Sequence, residues 1–181
     1  DLAEFQNVPG ARTRIRAELG LPDDAFVVAL LGRIVPWKGH EMFLDALERL
    51  LPEHPQMMGC IVGEGWRGHD FEQRLRARVD SGPLKGRVIF AGFRPDVPAL
   101  LQSVDALAHT SIEPEPFGRV IVEAMAARLP IVATAAGAVL EILEDGRTGL
   151  LVPPGNAAAL AQALHRLMSD PDLGQRLATA A

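Results

Sequence analysis

Glu115 and Glu123 stand with seven residues between them in the segment EPFGRVIVE, and their surroundings differ. Glu115 belongs to a loop, TSIEPEPFG. Glu123 lies among Val120, Ile121, Val122, Ala124 and Met125, one to two turns into a helix that Gly118 opens. A helix apolar on nearly all sides is expected to be buried. An ionised carboxylate there is costly unless it is paired or hydrogen-bonded. Two partners are open to Glu123: a ligand hydroxyl, for which a ribose diol is the natural case, or a neighbouring cation in a structural ion pair. Two carboxylates so placed could also form an acid–base pair.

The same segment offers an anion site. The first N–H groups of a helix lack acceptors, and its dipole is positive at that end. Gly118 puts such a helix start directly after the loop, and Arg119 adds a cation in the first turn, unless it points to solvent. A second cationic group lies far upstream, in GRIVPWKG. Gly32 lets the backbone approach a ligand closely, while Arg33 offers a planar fork and Lys38 a point charge, a combination suited to a polyanion. The alternative is a pair of solvated surface cations.

Other polar features carry less. Glu141 could reach a cleft through the turn at Gly137, or be a solvated helix residue; His109 could line a cleft or merely end a strand. Asp170-Pro171-Asp172 resembles a metal-binding D-x-D but falls between two terminal helices and reads as a cap. The run Gly63-Glu64-Gly65 is not a G-x-G-x-x-G fingerprint, and GRIVPWKGH matches neither that nor a P-loop. The five histidines show no metal-ligand spacing, and no G-x-S-x-G elbow is present. Cys60, the single cysteine, rules out an internal disulfide framework, fits a reducing compartment and reads as an inert buried thiol.

These groups must be positioned by a scaffold, and the hydrophobic pattern specifies one. Apolar runs at 25–31, 57–62, 87–91, 106–109, 131–133 and 150–152 read as strands, the first of them as one buried on both faces. Between them, helical periodicity covers 12–19, 40–51, 71–79, 97–103, 119–127, 139–143 and a segment from an Asn156 cap to 168, with a last short helix beyond; residues 1–10 read as a lead-in. Strands alternating with helices predict an α/β fold: an open, doubly wound parallel sheet of about six strands. In such sheets ligands bind beyond the carboxyl ends of the strands. The loops there, GRIVPWKG, GEG, GFRPD, TSIEPEPFG, TAAGA and PPGN, are where glycines and charges collect.

Composition narrows the class. The chain has 181 residues, 48% hydrophobic and 23% charged, the balance of one globular domain over residues 1–181. A net charge of −5 disfavours non-specific nucleic-acid binding. No apolar run approaches the ~20 residues a bilayer span needs, and no leader is visible at the start.

Taken in order, GRIVPWKG, IVGEG, VIFAGFRPDVPALLQSVDALAHTS, EPFGRVIVEAMA, LPIVAT and GAVLEILEDGRTGLLVPPGN resemble the nucleotide-sugar-binding half of retaining GT-B glycosyltransferases, in the family called glycosyltransferase group 1, or GT4. The match covers roughly residues 26–170, and the spacing from Glu115 to Glu123 is its hallmark. The resemblance implies a Rossmann-like donor domain, the C-terminal half of a GT-B fold. It implies that Arg33 and Lys38 hold the donor diphosphate and that the backbone of Phe117, Gly118, Arg119 and Val120 cradles the sugar and distal phosphate. Glu123 would bind the ribose hydroxyls and Glu115 the transferred sugar. Phe93 and Arg94 would lie beside the base, with Gly32 and Gly63 in the same pocket. The donor would be a nucleoside-diphosphate sugar of the UDP, GDP or ADP type, with no metal or other cofactor required. An N-terminal acceptor-binding domain and C-terminal crossover helices would lie outside residues 1–181, leaving an isolated, inactive donor domain with an exposed partner face. The setting would be cytoplasmic, with peripheral membrane association only through the missing half. A non-catalytic nucleotide-sugar sensor, or a nucleotide-sugar epimerase or hydrolase, fits the same residues. Two positions depart from the family pattern: Arg128 stands where Gly precedes LP, and Gly137-Ala138 where paired glycines are frequent. The first predicts a left-handed Arg128; the second puts close backbone approach near Gly137 in doubt.

Overall fold

The computed structural model describes residues 2–66 and 68–181; Asp1, part of the expected lead-in, lies outside the described residues. Six strands, β1 (Val27–Leu31), β2 (Met58–Val62), β3 (Val88–Gly92), β4 (Ala106–His109), β5 (Ile131–Thr134) and β6 (Leu150–Val152), form one parallel sheet in the order β3-β2-β1-β4-β5-β6. The helices are α1 (Ala11–Leu19), α2 (His40–Leu50), α3 (Phe71–Ser81), α4 (Val97–Leu101), α5 (Arg119–Ala126), α6 (Val139–Ile142), α7 (Ala157–Ser169) and α8 (Pro171–Ala180). This is the doubly wound α/β architecture that the alternation predicts.

The two-faced burial follows from strand geometry. Successive side chains of a strand point to opposite faces. In β1, Val28 and Leu30 join Phe43 and Leu47 of α2 and Leu164 of α7 in one core. Val27, Ala29 and Leu31 join Ile15 of α1, Leu100 of α4 and Ile121 of α5 in the other. Every residue of β1 is therefore buried, which is why the run is continuously apolar. Cys60 in β2 is fully buried, and burial pushes its thiol up to about 12, as befits an inert side chain.

Local chemistry sets several boundaries. Asn156 caps α7 by accepting from the Ala159 N–H at 3.0 Å. Asp170 caps α8 through Leu173 N–H at 3.0 Å and pairs with Arg176, so the D-P-D sequence is a helix cap. Arg128 takes φ 54° between α5 and β5, the left-handed conformation expected there. Two short 3-10 turns, Leu2–Phe5 and Pro36–Lys38, lie within stretches read as irregular.

One expectation about burial needs correction. Helix α5 is half-buried: Ile121 and Ala124 enter the core, while Val120, Val122 and Met125 remain partly open. An eight-residue helix has room for one core-facing stripe, so its other apolar residues fall along the margins. Conversely, Arg16, in the polar-looking helix α1, is fully buried. Its guanidinium donates to Ser103 O, Pro22 O and Ala25 O and to Asp105 Oδ2 at 2.6 Å. These partners satisfy a charge that would otherwise be prohibitive to bury.

Strand order reverses between β1 and β4, so the loops leaving these two strands diverge and open a crevice at the carboxyl edge. The cations of GRIVPWKG follow β1, and Glu115 follows β4. No helix among the described residues is long and apolar enough to cross a membrane.

Candidate functional site

The loops at the carboxyl edge are tied to one another in the same order as the strands. The loop after β1 meets that after β2 through Gly32 N–H to Val62 O at 2.9 Å and Ile34 N–H to Glu64 O at 2.9 Å. It meets the loop after β4 through Thr110 Oγ1 to Lys38 O and Ile112 N–H to Trp37 O, both at 2.8 Å. The loop after β4 meets that after β5 through Ala138 N–H to Glu115 O at 2.8 Å and a parallel bridge between Glu115 and Gly137. The side chains at the switch point thus sit on a braced frame.

Two glycines make the frame possible. Gly39 has φ 70°, and a Cβ there would come within 1.9 Å of Thr110 O. Gly137 has φ 61°, and a Cβ would meet Glu115 O at 2.4 Å. Close backbone approach at Gly137 therefore persists with Ala138 as its neighbour, because the contact needs a missing side chain at position 137 alone.

On this frame the Lys38 ammonium donates to Glu115 Oε2 at 2.5 Å. Ser111 Oγ donates to the same oxygen at 3.1 Å, and His109 Nε2 lies 3.3 Å from it. His109 is buried, and its Nδ1 has no partner among the described residues. Burial holds the imidazole below its usual range, against the opposing pull of the Glu115 charge. Burial acts to raise Glu115, but the Lys38 hydrogen bond and charge, helped by His109 and Ser111, leave it below the ordinary value. Glu115 is therefore an anion already paired with a cation.

Glu123 is the opposite case. Burial raises its carboxyl, and Arg119, one turn back at 3.3 Å, opposes this only weakly because its own side chain is 78% exposed. No side-chain hydroxyl or N–H among the described residues donates to it apart from that exposed guanidinium. Glu123 closes one wall of a cleft of about 440 Å³. Arg33, Glu64, Phe93, Arg94 and Arg119 supply its other large polar and aromatic side chains, Gly32, Gly63 and Val120 its close backbone approach, and Leu31, Val62 and Val97 an apolar floor. The N–H groups of Arg119 and Val120 at the start of α5 have no intrahelical acceptor.

The cleft thus gathers Gly32, Arg33, Gly63, Phe93, Arg94, Arg119, Val120 and Glu123 from four separate segments. Lys38, Glu115, Phe117 and Gly118 do not line it. They belong to the two diverging loops, Gly118 directly preceding α5 and Lys38 joined to Glu115. Arg33 is exposed, its guanidinium 5.4 Å from the ring centroid of Trp66, which in turn packs edge-on against Trp37. Arg94 forks onto Asp96 at 2.8 and 2.7 Å and also pairs with Glu18 of α1. These carboxylates engage most of its donors and hold its pKa above the ordinary value. Glu141 is exposed on α6.

Ser111, Trp37 and Trp66 escape a reading of residue types, since Ser and Trp are unremarkable in loops. Their positions, three or fewer residues from a strand end or from Lys38 and Glu64, are the only signal. Phe93, Phe117, Ile112, Trp66 and Leu140, all on loops or short helices at this edge, are exposed large apolar side chains.

Residues 11–181 match the family model described as glycosyl transferases group 1. The chain is 34% identical over 169 residues to an alpha-D-kanosaminyltransferase of Streptomyces kanamyceticus, covering 92% of this chain and 42% of that protein. It superposes on the crystal structure of Anabaena Alr3699/HepE in complex with UDP-glucose with TM-score 0.93 and 36% identity, over 99% of this chain and 49% of that one. The C-terminal domain of the group 1 protein LpcC from Francisella tularensis gives TM-score 0.87 at 29% identity, over 99% of this chain and 93% of that domain. The chain thus spans less than half the length of the curated relative.

Proposed function

The chain belongs to the glycosyl transferases group 1 family, and from that premise we propose that it binds a nucleoside-diphosphate sugar for a retaining glycosyl transfer of the GT4 type. The observation that carries this reading is the contrast, across one switch-point crevice, between a Glu115 held by Lys38, Ser111 and His109 and a Glu123 met by the exposed Arg119. A half-buried carboxylate with one exposed guanidinium beside it suits a ribose diol, whose hydroxyls would satisfy it. Such a ligand would run from Glu123 past the start of α5, with its phosphates at the free N–H groups of Arg119 and Val120.

Arg33 and Lys38 would then meet the diphosphate. Charge builds on that group as the anomeric carbon turns cationic, so cations fixed beforehand stabilise the transition state more than the ground state. They supply what a divalent ion could supply, and the reading needs no metal. Lys38 would be shared between Glu115 and phosphate, which draws the transferred sugar towards the carboxylate. Glu115 would orient the sugar or offset positive character at its reacting carbon. Phe93 would stack beside the base, and the Arg94 guanidinium face would flank it. The family's UDP-glucose complex favours a uridine nucleotide as the first to test. The exposed apolar rim, Phe93, Ile112, Phe117 and Leu140, would be covered by an acceptor-binding domain.

Calorimetric titration of the protein with UDP, GDP and ADP tests the binding half: one should bind, and Glu123→Gln should weaken it. Absence of binding by all three to folded protein would overturn the proposal. Anomeric configuration of the product, read by NMR when transfer is reconstituted with an acceptor-binding domain, tests retention.

A further inference from the structure

At the opposite, amino-terminal edge of the sheet, the end of α2 packs on α7. Leu47 and Leu50 of α2 share one core with Leu160, Leu164 and Leu167 of α7. This packing brings together two histidines 111 positions apart, His54 just past α2 and His165 on α7, with Nε2 of the first 2.8 Å from Nδ1 of the second. Glu53 Oε2 lies 3.6 Å from the same Nδ1. One donor atom from each of the three falls within 4.8 Å of the others. No part of the proposed transfer reaction uses them.

We propose that Glu53, His54 and His165 form a binding site for a borderline divalent transition-metal ion, with zinc as the reference case. Two imidazoles and one carboxylate are the donor set such ions favour, while magnesium and calcium prefer oxygen alone. Around a tetrahedral ion with metal–nitrogen bonds near 2.0–2.1 Å, neighbouring donors stand about 3.3 Å apart. The present separations of 2.8 and 3.6 Å bracket that spacing, so rotation of surface side chains suffices to admit an ion.

Electrostatics and support agree. The two rings share one hydrogen bond, which requires at least one lone pair directed at the gap. Ser169 Oγ lies 3.4 Å from His165 Nε2, the nitrogen left over, where an outer partner orients a ligating ring. Arg49 and Arg166 line the same surface cleft, so the Glu53 carboxylate is needed to offset their charge. With three protein ligands, the ion would keep a position open to water. It would clasp the α2–β2 connection to α7, on the side of the sheet's edge remote from the crevice.

Titration of the protein with zinc alone and with magnesium alone, followed by calorimetry, tests this directly. Zinc should bind at one equivalent and raise the thermal midpoint, and magnesium should do neither. Cobalt in place of zinc should give the visible absorption of a tetrahedral site. His54→Ala and His165→Ala should each weaken zinc binding at least about tenfold, and Glu53→Gln should weaken it less. No zinc binding at micromolar concentration, or binding unchanged in both histidine variants, would overturn the assignment. If either variant fails to fold, zinc-induced shifts of the His54 and His165 ring resonances in the unsubstituted protein decide instead: their absence overturns it.

Discussion

The loop half and the helix half of the switch-point crevice each hold one glutamate, and the two are prepared in opposite ways. Glu115 sits on a frame of backbone hydrogen bonds and meets Lys38, Ser111 and His109 at one oxygen. Glu123 rides on a half-buried helix with only the exposed Arg119 for company. Burial acts on both in the same direction, so the difference lies in the donors provided. A carboxylate with its donors in place is a preset part of the site. One without them is stabilised by whatever hydroxyls arrive. The contrast suggests a division of labour: the loop half fixes charge geometry and the helix half rewards ligand binding.

The largest break in this contrast should come from Lys38→Ala. Loss of one preorganised donor at a developing anion costs about 2.7–4 kcal/mol of barrier, so turnover in sugar transfer should fall by about 10²–10³. Removing its cation should also lift the Glu115 pKa, making it resemble Glu123, which carbon-13 titration of the carboxyl groups would read. Unchanged turnover together with an unchanged Glu115 titration would remove Lys38 from the site.

Gly137→Val attacks the frame rather than the charges. At φ 61°, with the Glu115 carbonyl 2.4 Å from the new Cβ, about 2–3 kcal/mol of stability should be lost. Thermal unfolding should show a midpoint lower by several degrees. A midpoint equal to that of the parent would mean that the loop after β4 does not depend on this contact.

Exchanging each glutamate for glutamine sharpens the comparison further. Glu123→Gln should lower nucleotide affinity about tenfold, the order expected for a hydrogen bond to a charged group, while leaving thermal stability the same or higher. Glu115→Gln should lower stability, since it leaves Lys38 without its counter-charge. Equal stability effects in the two variants would erase the distinction between preset and waiting carboxylates.

The smallest effect is in pH dependence. Glu115 has a folded pKa below the ordinary 4.5, so its stabilisation is present above about 4.5 and fades as pH falls through the folded value. Glu123 has a folded pKa above 4.5. Its contribution therefore favours the fold at low pH and declines as pH rises from about 4.5 through the folded value. Urea midpoints across this range should steepen in opposite senses in Glu115→Gln and Glu123→Gln.

Much of the architecture is legible in the chain because the pattern is local. Burial on both faces makes the inner strands β1, β2, β4 and β5 largely apolar runs, and β4 and the edge strand β6 begin and end where such runs do. Caps such as Asn156 and Asp170 use residues within three positions of their acceptors' partners. The residues of the cleft are also legible as types: an arginine after β1, a glycine after β2, a carboxylate one turn inside α5. Their likeness to the group 1 family is carried by those same short motifs.

Pairing over long separations is not legible. Nothing near Lys38 names Glu115, 77 positions on, as its partner; nothing in α1 marks Arg16 as the buried one of its arginines. Arg94 looks free to meet a ligand until folding delivers Glu18 to it. His54 and His165 show no ligand spacing in the sequence and become neighbours only when α2 lies on α7. The sequence by itself determined the strands, the helices, the edge at which the loops gather and the chemical types available there. The tertiary structure alone decided which charges are already paired with one another, and so how differently the two carboxylates are supplied with donors. The physical reason is that strand and helix formation depend on neighbours in the chain, whereas the state of an ionisable group depends on burial and on charges brought near it by folding.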